Sequence, residues 1–279
     1  REDLTMKKRQ KKIAVINDIS GYGRCSITVS LPIISAMKIQ CCPLPTAILS
    51  NHTEYPNYFF DDYTNHMPEY IENWKKLSLT FDGIATGFLG SLEQIHIVSN
   101  FIKDFPCETV LVDPVMGDHG VIYETYTPAM CQGMKQLIQY ADIVTPNLTE
   151  ACILTDTPYR EDFSTNELLK ICETIANMGP KEIIITGIKH GDFLNNFIYS
   201  TINGHSICSC ELITPVRPGT GDVFAAITLC DIMNGHTTYE ATTKAAAFIK
   251  KCLLASKEMN IPVSDGVCFE ECLGDLIPN

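Results

Sequence analysis

Ten residues, Val216-Arg217-Pro218-Gly219-Thr220-Gly221-Asp222-Val223-Phe224-Ala225, hold the residue types that chemistry on a phosphate requires. They lead into an apolar stretch, Val223 to Met233, that reads as a buried helix, so the N–H groups of Gly219, Thr220 and Gly221 would be left free at its N-terminus. Such a terminus binds anions. Asp222 falls in the first turn, where the helix dipole favours a carboxylate and where it could take a proton from a hydroxyl held against a phosphate. A phosphate cradle with a base beside it suggests a kinase. A glycine-rich turn with an acidic first-turn residue is the plain structural alternative, and this segment alone leaves both open.

The elements that would position these residues alternate strand and helix. Lys11 to Asn17 is a short β-rich run that ends in the polar loop Asp18-Ile19-Ser20-Gly21-Tyr22-Gly23; a helical pattern, Ile27 to Met37, and a second strand near Ile39 to Leu44 follow. Further strands are expected at Gly83 to Thr86, Thr109 to Asp113, Asp142 to Thr145 and Glu182 to Gly187, separated by helical patterns such as Leu92 to Phe105 and Pro128 to Tyr140. Capping boxes mark helix starts at Ser91 with Gln94, Ser164 with Glu167 and Thr237 with Glu240. Asn203-Gly204 between Phe193 to Ser200 and Ser206 to Thr214 signals a hairpin and antiparallel strands late in the sheet. The expected architecture is an α/β doubly wound, mainly parallel sheet with helices on both faces and ligands at the carboxyl ends of its strands.

Those strand ends are chemically unusual. They carry Asp18, Thr86-Gly87, Asp113 to Asp118, Pro146 to Glu150 and Thr186-Gly187. Asp113, Asp118 and Glu150 are hard oxygen donors suited to Mg²⁺, directly or through water, while Asn147 with Glu150 equally fits a helix cap and Asp113 before Pro114 a turn. The loop Ser50-Asn51-His52-Thr53-Glu54-Tyr55 is polar between apolar stretches, and reads as either a ring-binding loop or a solvated one. There is no G-x-x-x-x-G-K-[ST], H-E-x-x-H or G-x-S-x-G, and Gly21-x-Gly23-x-x-Ser26 lacks the third glycine of a dinucleotide site.

Composition narrows the classes. The chain has 279 residues, 45% of them hydrophobic, enough for a full core; residues 11–279 are expected to form one domain and residues 1–10, with Met6 inside them, an extension outside it. A net charge of -12 opposes nucleic acid and anionic membranes, so a nucleotide ligand would need a divalent cation beside it. Thirteen cysteines, odd in number and set among apolar neighbours, argue for reduced thiols and a cytoplasmic protein. No apolar run is long enough to span a bilayer.

Taken together, Ser50-Asn51-His52-Thr53, Thr86 to Ser91, Val112 to Asp118, Thr145 to Glu150 and Gly219 to Asp222 resemble the pyridoxal kinases of the ribokinase superfamily, in the right order from about Lys11 to Lys257. The G-T-G-D element marks only the superfamily; D-P-V-M-G-D with S-N-H-T marks the vitamin B6 branch and its hydroxymethylpyrimidine kinase relatives. The resemblance implies a ribokinase-like fold and ATP-dependent phosphorylation of the 5′-hydroxymethyl group of a pyridine. Asp222 would be the base, and Gly219, Thr220 and Gly221 the anion hole. Asp113, Asp118 and Glu150 would serve Mg²⁺, and Asn147, Thr186 and Thr220 the nucleotide. Asp18, Ser50, His52, Thr53 and Phe88 would face the substrate. Phe88 stands where many pyridoxal kinases carry tyrosine, and the first loop is short, as in the hydroxymethylpyrimidine kinases. A homodimer is implied; a need for K⁺ stays open, as does the lid, with the Asn203-Gly204 hairpin and the loop after Asp118 as candidates. The alternatives are a hydroxymethylpyrimidine kinase of thiamine synthesis and a non-catalytic pyridine-binding protein on the same fold.

Overall fold

In order along the chain, the elements are β1 (Lys12–Ser20), α1 (Ile27–Ala36), β2 (Gln40–Leu49), β3 (Phe60–Asp62), α2 (Met67–Lys76), β4 (Gly83–Thr86), α3 (Leu92–Asp104), β5 (Thr109–Val112), β6 (Gly117–Asp118), β7 (Val121–Ile122), α4 (Pro128–Leu137), β8 (Ile143–Val144), α5 (Leu148–Leu154), α6 (Thr165–Ala176), β9 (Glu182–His190), β10 (Phe193–Ser200), β11 (Gly204–Glu211), α7 (Thr220–Met233) and α8 (Thr238–Glu258). The computed structural model describes residues 9–278, so the expectation for the N-terminal extension lies, for residues 1–8, outside the described residues. Arg9 is tied to the sheet by an ion pair with Asp82.

Nine strands form one sheet in the order β11-β10-β9-β8-β5-β4-β1-β2-β3. Pairs from β2 across to β9 are parallel; β3, β10 and β11 add antiparallel edges. The sheet is doubly wound and mainly parallel with helices on both faces, as expected. Its parallel strands were recognisable because both faces are covered, which makes them near-continuous apolar runs such as the buried Ile13-Ala14-Val15-Ile16. Alternation then sorts these side chains. Ala14, Ile16, Ile84 and Val112 meet α2 to α6 on one face, and Ile13, Val15, Ala85 and Leu111 meet α1, α7 and α8 on the other.

Several boundaries differ from the sequence expectation. β2 continues past Leu44 to Leu49 although it contains Pro43 and Pro45. The Gln40 N–H donates to Lys11 O in the β1 direction, so by alternation residues 43 and 45 face the other side, where β3 pairs only with Ala47–Leu49. The missing donors therefore leave no gap in the ladder. Boxes form at Ser164/Glu167 and Thr237/Glu240, but Ser91 only accepts from the Gln94 amide. The Gln94 side chain turns away to accept from Gly90 N–H and donate to Thr46 O. No helix among the described residues is long and apolar enough to cross a membrane.

Candidate active site

From β1 the chain crosses to β2 on one side, then returns to β4 on the other side of β1. Loops leaving the carboxyl ends of β1 and β4 therefore diverge and open a crevice between them. Asn17 and Asp18 stand at one lip and Thr86-Gly87 at the other, and the N-terminus of α7 points into the gap.

That terminus is built by Gly219, which caps α7 in the left-handed region at φ 80. A Cβ there would lie 2.0 Å from Arg24 O, so both conformation and space demand glycine. The first helical bond runs from Val223 N–H to Gly219 O, and the amides of Thr220 and Gly221 donate to no group among the described residues. One turn in, the Asp222 carboxylate is held at both oxygens: Ser26 N–H donates to Oδ2 at 2.7 Å and Asn17 Nδ2 to Oδ1 at 3.0 Å. Burial raises its pKa to about 6, against the opposing pull of Ser26 N–H, with the Asp18 charge adding to the rise. A fixed carboxylate beside free helix-terminal amides can take a proton from an alcohol while the amides meet a phosphoryl group.

The expected carboxylates lie across the crevice. Asp113 Oδ2 comes within 3.8 Å of where a Gly221 Cβ would sit, and burial together with the Asp222 charge pushes its carboxyl up to about 7. Glu150 is buried in a capping box with Asn147; its Oε2 accepts from Asn147 N–H and its Oε1 from Met116 N–H. Burial and the Asp113 charge hold it well above the usual carboxylate range. Asn147 Nδ2 donates to Gly117 O, which anchors the turn after β5. The cap reading of this pair is therefore real, whatever else the two residues do. Asp118 is exposed on β6 beside His119, and Thr186 closes a bridge to Asn147.

No three acidic, His or Cys side chains among the described residues are grouped so as to hold a metal by themselves. Asp113, Asp118 and Glu150 thus do not make a protein-only Mg²⁺ cage. The surroundings nonetheless suit a hard cation. No ion pair among the described residues neutralises Asp113, Glu150 or Asp222, and the buried Thr86 hydroxyl at the end of β4 lacks a partner. Mg²⁺ usually takes one or two carboxylates and completes its shell with water and substrate phosphate, which fits this donor set.

The substrate half differs more from expectation. Asp18 is buried, with Ser26 Oγ donating to one oxygen at 2.5 Å and Ser20 Oγ to the other at 2.9 Å; burial raises its pKa. Ser50 is exposed and accepts from Phe59 N–H. His52 is buried: Nε2 donates to Ser264 O at 2.7 Å and Nδ1 accepts from Glu54 N–H. These side chains hold the loop rather than present free groups to a ligand. Thr53 remains exposed, and Phe88 is half-buried at the β4 end with its N–H donated to Asn17 Oδ1.

Three residues went unassigned in the sequence reading. Asn17 and Ser26 hold the Asp222 carboxylate, and nothing in their spacing relative to it, some two hundred residues away, signals this. Arg217 is buried with its guanidinium donating to Ile261, Pro262 and Gly266 carbonyls. It anchors the segment that carries Ser264 and Asp265, which in turn hold His52 and Tyr55. Its position inside the V-R-P-G-T-G-D run was the available clue.

Fold and site define a ribokinase-like phosphotransferase. The family model described as phosphomethylpyrimidine kinase matches residues 30–265, and the chain belongs to that family. A Bacteroides thetaiotaomicron protein provisionally called a phosphomethylpyrimidine kinase is 39% identical; one crystal form superposes with a TM-score of 0.95 over 99% of this chain and 96% of that one. Its other crystal form, with pyridoxal, gives 0.91 over 96% of each chain. Pyridoxal kinase from Lactobacillus plantarum is 25% identical at a TM-score of 0.91, covering 96% of this chain and 97% of that one. The thiamine biosynthetic bifunctional enzyme TH1 of Arabidopsis thaliana is 25% identical over 92% of this chain, which spans 49% of that enzyme's length.

Proposed function

We propose that this chain is an ATP- and Mg²⁺-dependent kinase that phosphorylates the 5′-hydroxymethyl group of pyridoxal, pyridoxine or pyridoxamine. The observation that carries phosphoryl transfer is the Asp222 carboxylate, held at both oxygens beside the free amides of Thr220 and Gly221. The choice of a pyridine is supported by the S-N-H-T and D-P-V-M-G-D stretches and by the pyridoxal bound to the Bacteroides relative. As the substrate hydroxyl attacks the γ-phosphorus, its proton passes to Asp222 and the bond to the β–γ bridging oxygen breaks, releasing ADP. Gly219, Thr220 and Gly221 direct their N–H groups at the charge on the transferring oxygens. Asp113, Asp118 and Glu150 would hold Mg²⁺, directly or through water, and the ion would supply charge neutralisation for the triphosphate. Asn147, Thr186 and Thr220 lie on the nucleotide side, with Phe88 and Thr53 toward the ring. The proposal extends to a cytoplasmic homodimer whose single domain spans residues 11–279.

A second reading is favoured by a specific finding. The family model is described as phosphomethylpyrimidine kinase and the Arabidopsis relative as a thiamine biosynthetic enzyme, which supports a hydroxymethylpyrimidine kinase that would use the same phosphoryl-transfer residues on a different ring. The deciding experiment is coupled ADP release with MgATP against pyridoxal, pyridoxine, pyridoxamine and hydroxymethylpyrimidine, each with an Asp222→Ala control. Turnover of a pyridine, lost in the variant, is expected. Turnover of the pyrimidine alone would overturn the substrate assignment, and no turnover on any of the four would leave a pyridine-binding protein.

A further inference from the structure

Asn17 is the last residue of β1 in regular register before the ladder shifts. Its side chain is almost fully buried, at 4% exposure, and every polar contact it makes is defined. Oδ1 accepts from Asp18 N–H and from Phe88 N–H, both at 2.9 Å. An amide oxygen that accepts two N–H bonds cannot exchange places with its nitrogen, so the NH₂ group is forced toward Asp222, where it donates to Oδ1 at 3.0 Å. Gly87 closes the other side: a Cβ there would lie 2.4 Å from Asn17 Nδ2. The amide is thus oriented by β1 and by the β4 loop at once, and it passes that orientation to the carboxylate.

We infer that Asn17 is a positioning residue that aims the Asp222 carboxylate and couples it to the Phe88 loop. This rests on the reading of Asp222 as the base. Ser26 N–H holds Oδ2 alone without the amide, leaving the carboxylate free to rotate about that single contact. A group that binds only through backbone contacts to substrate would change affinity; a group that aims the base changes the chemical step.

The test uses two variants of this chain. Asn17→Ala removes the donor to Asp222 together with the two accepted bonds and adds no charge beside the carboxylate. Gly87→Ala leaves Asn17 and the local charge unaltered but displaces the amide. A hydrogen bond to a charged group is worth on the order of tenfold to a hundredfold in an equilibrium or rate. Both variants should therefore lower kcat by about 10- to 100-fold, with KM for ATP and for the alcohol changed less than about threefold. Combined with Asp222→Ala, neither should slow the enzyme further, because the group through which it acts is gone. Unchanged kcat in either folded variant, or a full further loss in the Asp222→Ala background, would overturn the inference. Full activity of Asp222→Ala itself would instead overturn the base assignment, so the two failures are separable.

Discussion

Replacing Asp222 by Asn should make the protein more stable at pH 8 while sharply lowering kcat. Burial lifts the carboxyl from the ordinary 3.8 to about 6, so the folded state keeps its proton to a pH about two higher than the unfolded chain does. At 1.36 kcal/mol per pH unit, charging this group opposes folding by roughly 3 kcal/mol above pH 6. The sign follows from proton counts. Between pH 4 and 6 the folded protein binds more protons than the unfolded chain, so the stability this group contributes is complete below pH 4 and is lost as pH rises through 6.

Asn does not titrate. It can accept from only one of Ser26 N–H and Asn17 Nδ2, which removes about 1 kcal/mol. The net gain at pH 8 is then about 2 kcal/mol, or roughly 4 °C in Tm for a chain of this size. Asp113, itself raised by the Asp222 charge, would be relieved in the same direction. Thermal unfolding of both proteins at pH 4.5 and pH 8, in EDTA, is the assay. A variant no more stable at pH 8 than at pH 4.5, relative to wild type, would refute the idea that a desolvated charge is held in the crevice.

Further outcomes follow from the same geometry. Asp222→Ala should lower kcat by on the order of 10² to 10⁴ with ATP affinity little changed, read by steady-state kinetics and calorimetry; near-normal kcat would remove it as the base. Gly219→Ala places a Cβ 2.0 Å from Arg24 O at a positive φ, so thermal stability and turnover should both fall; a variant with wild-type kcat would show that the terminus tolerates a shift. Asp118→Asn, at the exposed end of β6, should leave Tm unchanged and raise the Mg²⁺ concentration for half-maximal activity several-fold; an unaltered Mg²⁺ titration would take Asp118 out of the metal site. Arg217→Met should orphan three carbonyls around residues 261–266 and lower stability by roughly 3 kcal/mol, measured by urea unfolding.

The primary structure determined the glycine-built N-terminus of α7 nearly completely. Gly219 to Asp222 are four consecutive residues opening an apolar run, and a helix N-terminus with its acidic first turn is a local object set by covalent neighbours and dipole. The parallel strands were legible for a related reason, since burial on both faces writes an unbroken apolar run into the chain. Glu150 and Asn147 announced their cap because its donors and acceptors lie three residues apart. What only the tertiary structure decided is which side chains share a contact across the sheet. Asn17 and Ser26 reach Asp222 because β1 and α7 meet at the point where the strand order reverses. His52, polar in sequence and expected to face a ligand, is instead buried against Ser264, and Asp18 against two serines, because a polar side chain with nearby partners satisfies them before it faces solvent. Periodicity carries information along an element; it carries none about the loop that will lie across it.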